Sequence, residues 1–267
     1  MTSAHSSSPH TIAWSDYDAV LFDLDGVITP TAEVHMRAWA EMFNEFLSAY
    51  AATPDAPEGG ADTSPYTDAD YFAHVDGKPR YDGVRDFLSA RGIALPEEGP
   101  ADSGPTVRGL GDRKNDAFNH VLERDGVTAY DGSVALLDHL RDLGIPLAVV
   151  SSSANAPAVL DAAGLADRFM TVVDGRVAGE LGLKGKPAPD TFLHAATVVG
   201  ATPAKAVVLE DAVSGVRAGR AGDFGLVVGV DRGAGVAVLT DAGADIVVSD
   251  LAETVPAGPR HEHRAES

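Results

Sequence analysis

The stretch LFDLDGVITPTAEVH, residues 21–35, decides the fold. An apolar run through Val20, Leu21 and Phe22 stops at Asp23 and Asp25, two carboxylates one residue apart, with Gly26 next and His35 ten residues past the second aspartate. The segment AVLFD (19–23) has the character of a buried strand. A buried strand that ends in two like charges needs something positive between them. Further along, IPLAVV (145–150), AVVL (206–209), GLVVGV (225–230) and DIVV (245–248) repeat the strand pattern. Between them SVALLDHLRDLG, APAVLDAAG, DTFLHAATVVG and AVSGVRAGRAG carry apolar residues at helical spacing, and each ends in glycine. Buried strands alternating with helices predict an α/β fold with a parallel sheet covered on both faces.

The first strand stands about a hundred residues apart from the others. The intervening chain opens as a helix, AEVHMRAWAEMFNEFLSAY, then loosens into Ala, Gly, Pro and Asp over 51–65, and loosens again over 95–105. Residues 30–128 therefore read as a helical cap inserted after the first strand. Residues 16–29 and 129–255 form the core, the two loose patches are surface loops, and 1–15 and 256–267 are disordered tails. No internal repeat is present.

Composition narrows the function classes. Lys plus Arg number 20 against 40 Asp plus Glu, a formal net charge of −20, so the bulk surface repels nucleic acid and anionic membranes. With no cysteine, disulfides, thiolate catalysis and cysteine zinc sites are excluded, in keeping with the cytoplasm. No apolar stretch approaches a membrane span, and the N-terminus lacks the basic start and apolar run of a signal peptide.

Open parallel sheets bind ligands beyond the carboxyl ends of their strands. Four polar clusters converge there: Asp23 and Asp25 after the first strand, Ser151 in VVSSSANAP, Glu210 and Asp211 in VVLEDAVSG, and Lys186 in GKPAPD. Several carboxylates together call for a hard divalent cation, and oxygen ligands beside a phosphate suit Mg²⁺. One carboxylate is then free to attack phosphorus, a second can move a proton to or from the leaving oxygen, and Ser151 and Lys186 can hold phosphoryl oxygens. Each element alone has a plainer explanation: an acidic turn, a helix-capping serine, a solvated lysine. GLKGKP also departs from the GxxxxGK[ST] phosphate loop, with Pro187 where Ser or Thr belongs. Their order and their common place at strand ends favour the catalytic reading.

DLDGV, the serine after the second strand, GKPAPD and LEDAVSG resemble the four motifs of the haloacid dehalogenase superfamily, in its usual order and over about residues 17–252. The resemblance implies a Rossmann-like core, an aspartyl-phosphate formed on Asp23, and Asp25 as general acid and base. It also implies Mg²⁺ held by Asp23, the Asp25 carbonyl and Asp211 with Glu210 in support, and phosphate anchoring by Ser151 and Lys186. A shorter, looser layer of matching is similar to the β-phosphoglucomutase-like family. Thr31 and His35 match its cap opening; VDGKPRYDGV matches its substrate loop with Gly77 and Arg80, to which Lys78 is added. RKND places Lys114 opposite a cap lysine, and SSSAN adds Ser152, Ser153 and Asn155. Two departures stand out: Pro30, where the family has aspartate, and the longer cap loops.

The resemblance implies a monomeric mutase that interconverts β-D-glucose 1-phosphate and glucose 6-phosphate through glucose 1,6-bisphosphate. Arg80 would hold the distal phosphate through its planar donor fork, and His35 would couple cap closure to Asp25. Their plainer alternatives are a surface salt bridge and a packing histidine. A Mg²⁺-dependent sugar-phosphate phosphatase uses the same core and differs in the cap's exclusion of water. A non-catalytic sugar-phosphate sensor is disfavoured by the intact Asp23 and Asp25.

Overall fold

Residues 19–22 form the central strand because every second side chain feeds a different apolar layer. Val20 and Phe22 point into one cluster and Ala19 and Leu21 into the other, all of them fully buried. The computed structural model describes residues 12–52, 61–100 and 104–256. Six parallel strands make one sheet: β1 (Ala19–Phe22), β2 (Leu147–Val150), β3 (Thr171–Val173), β4 (Ala206–Glu210), β5 (Leu226–Val230) and β6 (Ile246–Val248). Their spatial order is β3-β2-β1-β4-β5-β6, with β1 in register against β2 on one side and β4 on the other.

Both faces of the sheet are covered. Helices α5 (Asp131–Asp142) and α6 (Ala156–Ala162) pack on the Val20 face, while α8 (Asp190–Val198), α9 (Val213–Ala221) and α10 (Val236–Ala242) pack on the Leu21 face. A short α7 (Gly175–Leu181) follows β3. The predicted α/β parallel fold is thus observed. The sequence pattern missed β3, a three-residue edge strand with half-buried Thr171 and Val172, and the seven-residue α7 and α10. Winding outward from β1 on one side and from β4 on the other places the crevice between the halves at the carboxyl ends of these two strands.

Between β1 and α5 lie α1 (Thr31–Ala51), α2 (Asp68–Asp70) with a π-helical continuation over Tyr71–Val75, α3 (Arg80–Ala90) and α4 (Val107–Asp125). These helices share an apolar cluster of their own. Trp39, Met42, Phe43, Phe46 and Leu47 on α1 meet Val84, Phe87 and Leu88 on α3 and Leu110 on α4. The 3- and 4-residue spacing on α1 supplies one continuous apolar stripe. Tyr66, immediately after the 51–65 patch expected to be a surface loop, is buried in this cluster, and its amide donates to Asn44 Oδ1 at 2.8 Å.

One terminal expectation is corrected. Ile12 and Trp14, placed by the sequence reading in the 1–15 tail, are buried against the sheet, and Trp14 Nε1 donates to Thr254 O at 3.0 Å. Burial of Ile12 and the Trp14 indole offsets much of the cost of ordering the three or four residues beside them. The rest of the two expected tails, residues 1–11 and 257–267, and the loop residues 53–60 and 101–103 lie outside the described residues. Among the described residues, no helix is long and apolar enough to cross a membrane.

Candidate active site

At the end of β1, Asp23 is buried at 7% exposure, and its Oδ1 accepts from Lys186 Nζ at 2.5 Å. The same amine donates to Glu210 Oε1 at 2.5 Å and to Val150 O at 3.0 Å. Lys186 thus joins the ends of β1, β2 and β4. Glu210 is fully buried, and its Oε2 accepts the Ala212 amide at 2.9 Å. One oxygen each from Asp23, Glu210 and Asp211 lie within 4.8 Å of one another. Burial and neighbouring carboxylates push both Asp23 and Asp211 well above the usual carboxylate range, with Lys186 opposing this at Asp23. For Lys186, burial is overcome by Asp23 and Glu210, which raise it above the ordinary lysine value.

Three hard oxygen donors gathered together, with one ammonium paired to two of them, leave negative charge that a dication would offset, so the residues fit Mg²⁺. Gly26 makes room for this cluster: at φ +84 a Cβ there would lie 1.8 Å from Asp211 Oδ2. Asp25 turns its carboxylate away. Thr31 Oγ1 donates to Asp25 Oδ1, and His35 Nε2 lies 3.3 Å from the same oxygen. Burial alone would raise Asp25; His35, by charge and hydrogen bond, and Thr31 bring it down to about 2.

Behind His35 stands Lys114 of α4, buried at 5% exposure, whose amine meets His35 Nδ1. A lysine can only donate there, so the imidazole hydrogen sits on Nε2, facing Asp25. Burial lowers Lys114 to about 7, with Arg80 adding to the effect and Asp25 opposing it. Burial and the Lys114 charge likewise lower His35. The imidazole is fixed from its flat side by Phe118, stacked at 4.0 Å and 5°. The resulting chain, Lys114–His35–Asp25, runs from the helical insertion to the loop after β1.

The loop after β2 faces the insertion. Ser151 Oγ accepts the Ser153 amide at 3.1 Å, and Ser153 Oγ accepts the Asn155 amide at 3.2 Å. Ser152 Oγ donates to Gly77 O at 2.8 Å, and Asn155 Nδ2 donates to Asn115 Oδ1 of α4 at 2.8 Å. Gly77 sits at φ +66 directly against the β4–α9 loop, where a Cβ would lie 2.3 Å from Ser214 Oγ and 2.9 Å from Ala212 Cβ. Arg80 Nη1 lies 3.5 Å from Gly111 O and 3.6 Å from Asp112 Oδ1.

Most of the sequence-derived residues therefore meet in one cavity. Asp23, Asp25, His35, Gly77, Lys78, Arg80, Lys114, Ser152, Ser153, Asn155, Glu210 and Asp211 all line it. Thr31, Ser151 and Lys186 stand one layer behind, each bonded to the groups described above. Lys78 keeps its amine paired with Asp86 at 2.5 Å. Sequence reasoning missed Trp39, Tyr71, Asp76 and Asn115 on the insertion and Ala212 on the core. Asn115 follows Lys114 within RKND and was within reach; the others carry no local signal.

The cavity is about 70 Å³, far below the roughly 300–1,000 Å³ of ligand pockets. The insertion is closed onto the sheet, held there by the Ser152–Gly77 and Ser214–Asp76 hydrogen bonds.

Known proteins agree with this geometry. The model of the haloacid dehalogenase-like hydrolase family matches residues 17–223. A β-phosphoglucomutase from Mycobacterium tuberculosis (strain CDC 1551 / Oshkosh) is 50% identical over 242 residues, which is 88% of this chain and 90% of that protein. Hexitol phosphatase A of Escherichia coli K12 is 30% identical over 205 residues, 75% of this chain and 77% of its own length. Among solved structures, a β-phosphoglucomutase from Clostridium difficile shares the fold with a TM-score of 0.70 at 23% identity, covering 89% of this chain and 92% of that one. The carboxylates at the ends of β1 and β4, the lysine between them and the span of the match agree that the chain belongs to the haloacid dehalogenase-like hydrolase family.

Proposed function

We propose that this enzyme is a β-phosphoglucomutase, interconverting β-D-glucose 1-phosphate and D-glucose 6-phosphate. The observation that carries the reading is 50% identity, over 88% of the chain, to the M. tuberculosis β-phosphoglucomutase. The site geometry supports it, because the insertion brings Arg80, Asn115 and the Lys114–His35 pair to a catalytic edge.

In this reading Asp23 is the nucleophile. Its carboxylate oxygen bonds to phosphorus as the bond from phosphorus to the donor oxygen breaks, and Asp25 gives that oxygen a proton. In the reverse transfer the sugar hydroxyl loses its proton to Asp25 as it takes the phosphoryl group from Asp23. Lys186 and Ser151 hold the phosphoryl oxygens, and Lys186 orients Asp23 before attack. Asp23, the Asp25 carbonyl and Asp211, with Glu210 in support, would hold Mg²⁺, which when bound offsets the charge of the carboxylates and the transferring phosphoryl group.

A mutase must also hold a second phosphate while the sugar turns end for end. Arg80, aimed into the cavity from the start of α3, takes that role, with Ser152, Ser153, Asn155 and Lys78 along the sugar's path. Glucose 1,6-bisphosphate is the intermediate released and rebound between the two transfers. The helical insertion acts as a cap: docked, it places Lys114 and His35 behind Asp25 and excludes water from the phosphorylated aspartate.

The test is turnover of β-glucose 1-phosphate with Mg²⁺ and a trace of the bisphosphate, read by a glucose 6-phosphate dehydrogenase. Glucose 6-phosphate from the wild type and none from Asp23→Asn supports the reading. Turnover by Asp23→Asn at the wild-type rate rejects it.

A further inference from the structure

Asp76 has no part in the mechanism above, yet it lines the same cavity as Asp23, Asp25, Glu210 and Asp211. It sits where the chain leaves the π-helical turn Tyr71–Val75, and its backbone is pinned on both sides. Its amide donates to Tyr71 O at 3.0 Å, and its carbonyl accepts from Ser214 Oγ at 3.0 Å. Ser214 stands three residues after Asp211, and Ser152 holds the neighbouring Gly77 carbonyl at 2.8 Å. Two core serines therefore fix this loop of the insertion over the acidic cluster.

The side chain is hydrogen-bonded to Tyr71; the charges of Glu210 and Asp25 act against its ionisation and that of Lys186 favours it, with Asp211 feeling it in turn. The cations nearby are committed elsewhere. Lys186 bonds Asp23 and Glu210, Lys114 bonds His35, and Arg80 lies against Asp112 and Gly111 O. A half-buried carboxylate facing other carboxylates is costly without a cation beside it. Hard dications keep part of their water shell, and outer carboxylates orient those waters.

We propose that Asp76 is the insertion's own contribution to the cation site, its carboxylate accepting hydrogen bonds from water on the divalent cation held by Asp23, Glu210 and Asp211. Cation binding and docking of the insertion then favour each other, by linkage. The proposal rests on the cation reading given above, so the experiment separates the two.

Mn²⁺ serves as the probe, titrated into the full chain and followed by electron paramagnetic resonance. Asp76→Asn weakens Mn²⁺ binding about tenfold, the ordinary size of an outer-shell loss. Ser214→Ala, which keeps the carboxylate and frees its loop, weakens it by less. Hydrogen exchange over residues 71–80 slows on adding Mg²⁺ in the wild type and is indifferent to Mg²⁺ in Asp76→Asn. Wild-type Mn²⁺ affinity in Asp76→Asn, beside its loss in Asp211→Asn, overturns the proposal and leaves the cation site standing. A raised KM for the sugar phosphate with Mn²⁺ affinity unchanged also overturns it, assigning the carboxylate to the sugar. Unchanged affinity in Asp211→Asn overturns the cation reading and this proposal with it.

Discussion

Replacing Gly77 with alanine isolates the docking of the insertion from the chemistry. Two costs follow from the structure. The backbone at φ +66 is a left-handed conformation, which costs a residue with a Cβ about 1 kcal/mol. The new Cβ would also lie 2.3 Å from Ser214 Oγ and 2.9 Å from Ala212 Cβ, so the serine must turn away and lose its 3.0 Å bond to Asp76 O. That loss adds about 1 kcal/mol. Together about 2 kcal/mol disfavours the docked state, close to a thirtyfold shift toward the open one. The clash lies between the insertion and the sheet and touches no apolar cluster, so the variant folds and its Tm falls by less than about 4 °C. Mutase kcat/KM, measured with β-glucose 1-phosphate, is expected to drop between five- and thirtyfold, while hydrolysis of acetyl phosphate changes by less than twofold. Adding Ser214→Ala removes the nearer contact and recovers part of the loss. A mutase rate within twofold of wild type in Gly77→Ala would refute the docking argument.

Four further outcomes are expected. Arg80→Ala loses a charge-assisted contact worth about 2 kcal/mol, so mutase activity falls about thirtyfold with acetyl phosphate hydrolysis little changed; equal losses in parallel assays would make Arg80 structural. Lys114 titrates near 7 folded and near 10.5 unfolded, so between these values the unfolded chain binds the extra proton and stability rises with pH. Denaturant titrations should show this slope flattened in Lys114→Met by up to about 1.4 kcal/mol per pH unit; identical slopes would contradict the buried amine. His35→Gln removes the imidazole that holds Asp25 low, so the acid limb of the mutase pH profile moves upward, and an unmoved limb would break that link. Chelation of divalent cations should abolish turnover and added Mg²⁺ restore it; activity surviving thorough chelation would exclude the metal.

The carboxyl-end chemistry was legible because it is written locally. Asp23, Ser151, Lys186 and Glu210 each follow or flank a strand or turn whose apolar run is visible in the sequence, and a parallel sheet brings such ends together. The cavity's other wall was legible only through family resemblance, because its residues meet by tertiary docking. Nothing near Asp76 in the chain announces Glu210, and nothing near Asn115 announces Asn155 forty residues on. Lys78 is legible only in part: it lies in the substrate-loop motif and lines the cavity, and nothing in the sequence shows that its amine also pairs with Asp86 on the following helix. The strand β3 escaped because three residues at a sheet edge, two of them half-buried, carry too little periodicity, and Trp14 because the short run Ile12–Ala13–Trp14 beside polar residues does not mark a helix or strand.

Phosphoryl return to the sugar in preference to water is what separates a mutase from a phosphatase on this core. Phosphorus NMR of the enzyme with Mg²⁺, β-glucose 1-phosphate and a trace of glucose 1,6-bisphosphate observes both fates in one tube. A mutase gives a growing glucose 6-phosphate resonance with no matching growth of inorganic phosphate. Inorganic phosphate accumulating in step with substrate loss would contradict it and make the enzyme a sugar-phosphate phosphatase.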